Sequence, residues 1–294
     1  MKKFQGAITA LATPFQKDGT IDTDALRGLV RFQLKGGING IVPCGSTGEA
    51  ATMNTKEYEH VVRTVVEEVG GRVPVIAGAG SNDTQKAIHL SELAKKAGAD
   101  GLLHVTPYYN KPTPAGLVAH FKAIADAVNL PIILYNVPGR TGLNATATVT
   151  LRVAKAVPHV VAVKEASGNI PQMMEIVKAA PSYFSVLSGD DAFTIPLMSV
   201  GGVGCISVVS NEIPKEFTRM VKAALEGDFQ KAKTLHFRYL DLMNVNFIET
   251  NPIPVKTALS LMGKIQEVFR LPLVSMEEKN KETLKTVLKG VGLL

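Results

Sequence analysis

The chain of 294 residues is 46% hydrophobic and 20% charged, a balance that excludes a disordered or fibrous protein and suits one large domain or two ordinary ones. Its net charge of +6 comes from scattered basic residues, and the Lys-rich stretch 277–289 interleaves acids with bases, so small anionic ligands fit better than nucleic acid. Cys44 and Cys205 lie far apart with no CxxC or histidine spacing, which argues against a zinc site or a disulfide framework and for a reducing, cytoplasmic setting; no apolar run approaches the roughly 18 residues of a membrane span.

Met1-Lys2-Lys3 followed by Gly6 to Ala12 has the outline of a signal peptide, but the apolar part is short and runs into Thr13-Pro14 without a cleavage pattern, so it is taken as a first strand. Apolar runs at 7–11, 40–42, 75–77, 102–105, 132–135, 160–163, 184–187 and 204–208 predict eight strands. Helix-length segments separate them. Asp22 and Asn54 are placed to cap the first two, Asn54 with Glu57 has capping-box spacing, and Ala87, Leu90, Ala94 and Ala97 give the third a helical stripe. A faint repeat, Lys35-Gly-Gly-Ile-Asn-Gly-Ile-Val42 and Lys96-Ala-Gly-Ala-Asp-Gly-Leu-Leu103, varied at Val200 to Ile206, puts glycine where a helix gives way to a strand.

Eight βα units in about 210 residues predict a (β/α)8 barrel. A doubly wound sheet is the alternative, weakened because Gly78-Ala-Gly80-Ser-Asn-Asp83 lacks the third glycine of a dinucleotide fingerprint. After Ser210 the pattern becomes helical at 214–225, 229–243, 254–261 and 278–288 with no linker. The expected organisation is a catalytic barrel over residues 1–225 with a C-terminal helical region, 226–294, packed on it.

Barrel chemistry sits where strands end and βα loops begin. After the second strand, Pro43-Cys-Gly-Ser-Thr-Gly-Glu49 offers N–H groups and hydroxyls for a carboxylate or phosphate, or is simply a glycine turn into a capped helix. After the fourth, Thr106-Pro-Tyr-Tyr-Asn-Lys-Pro112 carries two adjacent phenols, one for packing and one for a cleft or an interface. The fifth ends in Tyr135-Asn-Val-Pro-Gly-Arg-Thr-Gly142, where Arg140 is a carboxylate clamp or a plain surface arginine. The sixth ends on Lys164. An ammonium buried there titrates lower and, when neutral, attacks a carbonyl; the alternative is a lysine that snorkels to solvent. Asp190 and Asp191 after the seventh strand cap the next helix or ligate a metal, capping being the expectation. Ile206 on the eighth lies in the core or at the mouth. Jointly, a lysine, phenols, hydroxyls and an arginine on separate strand ends make a site for carbonyl chemistry.

Gly45-Ser-Thr-Gly-Glu49, Tyr135-Asn-Val-Pro138 and Val163-Lys-Glu-Ala-Ser-Gly168 resemble the pyruvate-dependent class I aldolase and lyase superfamily, and within it the dihydrodipicolinate synthase family. The likeness extends from Gly6 to Leu294, including Asn251-Pro-Ile-Pro-Val-Lys256 and Arg270-Leu-Pro-Leu273. The resemblance implies that Lys164 forms a Schiff base with pyruvate, with no cofactor and no metal. The derived enamine then attacks L-aspartate-4-semialdehyde to give 4-hydroxy-tetrahydrodipicolinate, on the route to diaminopimelate and lysine. It also implies that Tyr135 moves protons beside the imine, linked through Ser46 to Tyr109. Thr47 would hold the pyruvate carboxylate with Ile206 at its border, and Arg140 would take the semialdehyde carboxylate. Tyr109 would enter a partner's site, so the assembly is at least a dimer and by family habit a tetramer of two dimers.

Two departures from the family pattern stand out. Ser46 replaces a threonine, keeping the hydroxyl but freeing χ1. Gly-Ser-Thr-Gly-Glu also occurs in relatives that cleave N-acetylneuraminate or 2-keto-3-deoxy sugar acids, which keeps such an aldolase as an alternative. The positions matching the family's L-lysine pocket are Ala50, Thr55, Tyr58 and Lys86, with only Asn82 and Tyr108 in keeping, so weak or absent inhibition by L-lysine is expected. A non-catalytic barrel that binds a keto acid, and a metal-dependent aldolase using Asp190 and Asp191, are alternatives of other classes.

Overall fold

Eight short strands, none longer than six residues, form one parallel sheet: β1 (Gly6–Ala10), β2 (Gly40–Val42), β3 (Ile76–Gly78), β4 (Gly101–Val105), β5 (Ile132–Asn136), β6 (Val160–Glu165), β7 (Ser185–Ser188) and β8 (Gly204–Ser207). In this computed structural model, which describes residues 4–294, their order is β2-β1-β8-β7-β6-β5-β4-β3. A parallel bridge between Ile41 and Val75 joins β2 to the approach to β3 and closes the ring. The (β/α)8 barrel expected from the strand count is therefore present. Met1 to Lys3, invoked in weighing a signal peptide, lie outside the described residues.

The non-alternating strand sequences follow from burial on both faces. Side chains such as Ile8, Val42, Ile76, Leu103 and Ile133 fill the barrel interior. Their sequence neighbours, among them Ala7, Ile41, Ala77, Leu102 and Ile132, face the surrounding helices. Those helices are α1 (Thr23–Lys35), α2 (Thr55–Val69), α3 (Thr84–Lys96), α4 (Pro114–Val128), the single turn α5 (Pro138–Thr141), α6 (Ala147–Ala156), α7 (Ile170–Ala179), α8 (Thr194–Ser199) and α9 (Pro214–Leu225). Asp22 caps α1 at the N–H of Ala25, and Asn54 with Glu57 forms the predicted capping box on α2.

Three further helices follow: α10 (Phe229–Val245), α11 (Ile253–Leu261) and α12 (Glu278–Gly290). Leu242, Leu259 and Leu284 on them belong to the same apolar layer as the outer barrel face. Their apolar sides are covered by the barrel's own helices, and α10 packs along α9.

Two details differ from expectation. β6 continues through Lys164 to Glu165, because Lys164 pairs with Tyr135 and Leu187, and Glu165 with Asn136 and Ser188. Asp190 and Asp191 do not cap α8, whose N-cap position is Phe193. Asp190 accepts from the Ala192 N–H at 2.9 Å. Asp191 instead accepts the N–H groups of Val208 at 3.1 Å and Val209 at 2.8 Å. Those two donors lie where the chain leaves β8 for the turn Val209–Asn211, and there they would be buried without another partner.

Candidate active site

Lys164 projects into the barrel mouth with 5% of its surface exposed, and its Nζ lies 4.2 Å from the centroid of the Tyr135 ring. The two residues are register partners on adjacent strands, so their side chains emerge side by side. The chain buries a second lysine, Lys256, which makes an instructive control. Lys256 is ion-paired with Glu49, donates to the Val268 carbonyl at 2.7 Å and lies 4.3 Å from the Phe15 ring centroid. Among the described residues no carboxylate forms an ion pair with Lys164. Lys256 is held by its partners, whereas Lys164 is buried beside a phenol ring with no such pairing.

Gly189 lies against Lys164, where a Cβ would stand 3.1 Å from the lysine Cγ and 2.6 Å from the Cβ of Ala166. Only glycine leaves the lysine stem its room. Next to it, burial pushes the Asp190 carboxyl up, against the pull of the Ala192 and Phe193 N–H groups and of the Lys164 charge. Burial likewise raises Asp191 to about 6. Among the described residues no group of three His, Cys, Asp or Glu side chains is arranged to hold a metal ion.

On the outer side of the same strand ends, Glu165 is fully buried and accepts four hydrogen bonds from three donors. Asn136 Nδ2 reaches both of its oxygens at 3.2 and 3.0 Å, the Ser167 N–H reaches Oε1 at 2.8 Å, and Gln172 Nε2 reaches Oε2 at 3.2 Å. Asn144 closes the group through Asn136 at 2.9 Å and Gln172 at 2.9 Å. This network ties the ends of β5 and β6 to the starts of α6 and α7, directly behind Tyr135 and Lys164.

Thr47 is buried in the loop after β2, and its Oγ1 accepts from Asn251 Nδ2 at 3.0 Å. Arg140, on the one-turn helix after β5, donates to the Asn251 carbonyl at 2.9 Å. The loop holding Thr47 ends on Glu49, which is in the left-handed region (φ 53°) and is gripped by Lys256 and by the Arg270 N–H at 3.3 Å. Arg270 in turn pairs with Glu57 of the α2 capping box. Ile206 is fully buried in the inner barrel layer with Tyr135 and Leu187.

Ser46 and Tyr109 are placed differently. Ser46 is exposed, and Tyr109 has 88% of its surface exposed at a left-handed φ of 71°. Among the described residues no hydrogen bond joins Ser46 to Tyr135 or Tyr109. The structure thus brings Lys164 and Tyr135 together in the mouth, buries Ile206 in the inner layer with Tyr135, and ties Thr47 to Arg140 through Asn251. It leaves the Tyr109 phenol outside. Sequence reasoning missed Asn251, the Glu49–Lys256 pair and the Glu165 network. The partners lie up to 207 residues apart, and the one local clue was that polar residues sit in otherwise apolar runs.

A barrel of this topology with an unpaired buried lysine beside a phenol defines a lysine-centred (β/α)8 protein. The chain belongs to the dihydrodipicolinate synthetase family, whose family model matches residues 3–291. It is 56% identical over 291 residues to the 4-hydroxy-tetrahydrodipicolinate synthase of Maridesulfovibrio salexigens, covering 99% of each sequence. Among solved structures, it is similar to the chloride-inhibited dihydrodipicolinate synthase of Acinetobacter baumannii complexed with pyruvate (44% identity, 99% of each chain, TM-score 0.96). It is also similar to the enzyme of Cyanidioschyzon merolae with lysine bound (43% identity, 100% of each chain, TM-score 0.96).

Proposed function

We propose that this chain is a lyase that condenses pyruvate with L-aspartate-4-semialdehyde to 4-hydroxy-tetrahydrodipicolinate, supplying diaminopimelate and lysine synthesis. Full-length identity of 50–56% to relatives named for that activity supports the reaction. The observation that carries the mechanism is a buried Lys164 without an ion-pair partner, 4.2 Å from the Tyr135 ring.

The Lys164 amine attacks C2 of pyruvate and water leaves, giving an iminium. Loss of a C3 proton gives the enamine, whose carbon attacks the semialdehyde aldehyde. The semialdehyde amine then adds to C2, closes the ring and releases Lys164. Tyr135 moves the protons beside C2, relayed through Ser46 and Tyr109. Thr47 holds the pyruvate carboxylate beside Ile206, and Arg140 the semialdehyde carboxylate. No cofactor is required, since the covalent chemistry is the lysine's own.

The exposed, left-handed Tyr109 supports an assembly in which that phenol completes a neighbour's site, at least a dimer and by family habit a tetramer. Residues 1–225 form the catalytic barrel in this scheme and 226–294 an appended helical region that braces the mouth. Buried free thiols at Cys44 and Cys205 and the absence, among the described residues, of a helix long and apolar enough to cross a membrane agree with work in the cytoplasm. Borohydride reduction with pyruvate, followed by peptide mapping, is expected to mark Lys164. A folded protein that gains no adduct removes the imine mechanism.

A further inference from the structure

Asn251 stands at the entry to α11, far along the chain from the barrel residues it touches. It is 5% exposed, and among the described residues its side chain makes a single hydrogen bond, from Nδ2 to Thr47 Oγ1 at 3.0 Å, while its buried Oδ1 has no partner. Its backbone carbonyl accepts from Arg140 Nη2 at 2.9 Å. A buried amide with an unused acceptor is costly, and one bracing the fold would be paired at both ends, as Asn211 is at Ala12, Ala10 and Val208.

The polarity of the Thr47 bond is the informative point. A hydroxyl has one proton and two lone pairs. Because Asn251 donates into Thr47 Oγ1, the hydroxyl proton is left for something else. A carboxylate is acceptor-only and needs that proton.

We propose that Asn251 is the positioning residue for substrate carboxylates. Its amide sets Thr47 as a donor toward pyruvate, and its carbonyl holds the Arg140 guanidinium at the semialdehyde. This rests on the function proposed above. The C-terminal region thereby reaches both anchors through one residue: the side chain serves the first substrate and the backbone the second.

The two halves separate by substitution. Asn251→Asp keeps the shape but reverses the bond: the carboxylate takes the Thr47 proton and sets a negative charge beside the pyruvate site. Asn251→Ala removes the bond and keeps the carbonyl. The pyruvate concentration that gives half-maximal borohydride-trapped adduct is expected to rise about tenfold in Asn251→Ala and about a hundredfold in Asn251→Asp. The KM for the semialdehyde should change less than about threefold in Asn251→Ala, because Arg140 retains its acceptor. If Asn251 merely packs, both variants should lose stability while the pyruvate concentration for half-maximal adduct stays that of the parent. That outcome, or equal loss for both substrates in Asn251→Ala, overturns the proposal while the parent still forms its adduct. A parent that forms no adduct overturns the proposed function, and this inference with it.

Discussion

The ends of β4 and β6 lie on the same rim and are built on opposite plans. Behind Lys164, every outward polar group is paired: Glu165 is surrounded by amide donors from Asn136, Gln172 and Ser167. Behind the Tyr108–Tyr109 loop the outward groups are short of partners. His104 on β4 uses Nε2 toward Ser91 at 3.2 Å, but among the described residues its buried Nδ1 has no partner, and neither do Thr106 Oγ1 and the Nε2 of His120. The strand of the proposed nucleophile is braced so that Lys164 and Tyr135 keep their register. The phenol's strand leads into a loop tied to its neighbours by backbone carbonyls, Asn110 donating to Asn82 at 2.8 Å and the Tyr109 N–H to Thr141 at 3.4 Å, with two non-glycine residues, Tyr109 and Lys111, at positive φ. Full pairing is placed where bonds to carbon are proposed to form, and unused polar groups where a neighbouring subunit is proposed to dock.

Acid should expose this contrast most strongly. Burial lowers His104 to about 3 and, with some opposition from Asp83, His120 to about 4. In the unfolded chain both take up protons near the ordinary value of 6.5. Both folded values lie below the unfolded one, so stability is intact above pH 6.5, falls as pH drops from there toward 3–4, and loses nothing further from these groups below that. For His104 alone the loss approaches about 5 kcal/mol. Denaturant melts across that range, compared with a His104→Leu variant, measure it. An unchanged pH slope in the variant would remove His104 as the cause. Hydrogen exchange at low pH should also open β4 and α4 before β6.

Glu165→Ala attacks the braced side. It takes the acceptor from the Ser167 N–H and leaves Asn136 and Gln172 with only their bonds to Asn144, at a cost of about 3 kcal/mol in folding stability. Activity should fall as well, chiefly in kcat, because Tyr135 and Lys164 lose the link that fixes their strand ends. Chemical denaturation and steady-state kinetics on one preparation test both. Loss of stability with kcat intact would confine the network to folding.

Tyr109→Phe tests the other side with the opposite signature. The side chain is almost wholly exposed in the chain, so its hydroxyl contributes little to folding and the melting temperature should hold. As a member of the proposed proton relay, its loss should lower kcat by about tenfold to a hundredfold. Mixing Tyr109→Phe with Lys164→Ala sharpens the point, since a site shared between subunits would regain activity in the mixed dimer. No recovery on mixing would place the whole relay within one chain.

The legibility of the molecule divides along the same line. Strand positions, the barrel, the α2 capping box and Lys164 itself were visible because each is written locally, in apolar runs, cap spacing and a charge at a strand end. The Glu165 network was not, because Asn136, Asn144 and Gln172 come from three segments and each has ordinary solvent-facing uses. Nothing in the residues beside Lys256 announces Glu49, which lies 207 positions away. Asp191 was misjudged as a cap for a similar reason: the donors it satisfies, Val208 and Val209, belong to another strand's exit. Local chemistry predicts what a residue is able to do, and only the fold decides which of its partners arrives.

The smallest effect expected is that of L-lysine. The positions matching the family's effector pocket follow the Thr47 loop and lie on α2 and α3, beside the Tyr108 rim. Tyr58 is turned inward, 3% exposed, with its hydroxyl buried and unpaired, and burial pushes that phenol well above its ordinary value. It fills apolar space beside Cys44 and presents no polar group outward. Lys86 is exposed and brings a cation to where an amino-acid effector carries its own ammonium. L-lysine at about 1 mM should therefore change the rate less than twofold, where an effector with a matching site would bind at micromolar levels. A coupled assay across an L-lysine titration decides it. Half-inhibition well below that concentration would mean the pocket is assembled from groups these positions do not include, and would turn attention to the partner's face of the Tyr108–Tyr109 loop.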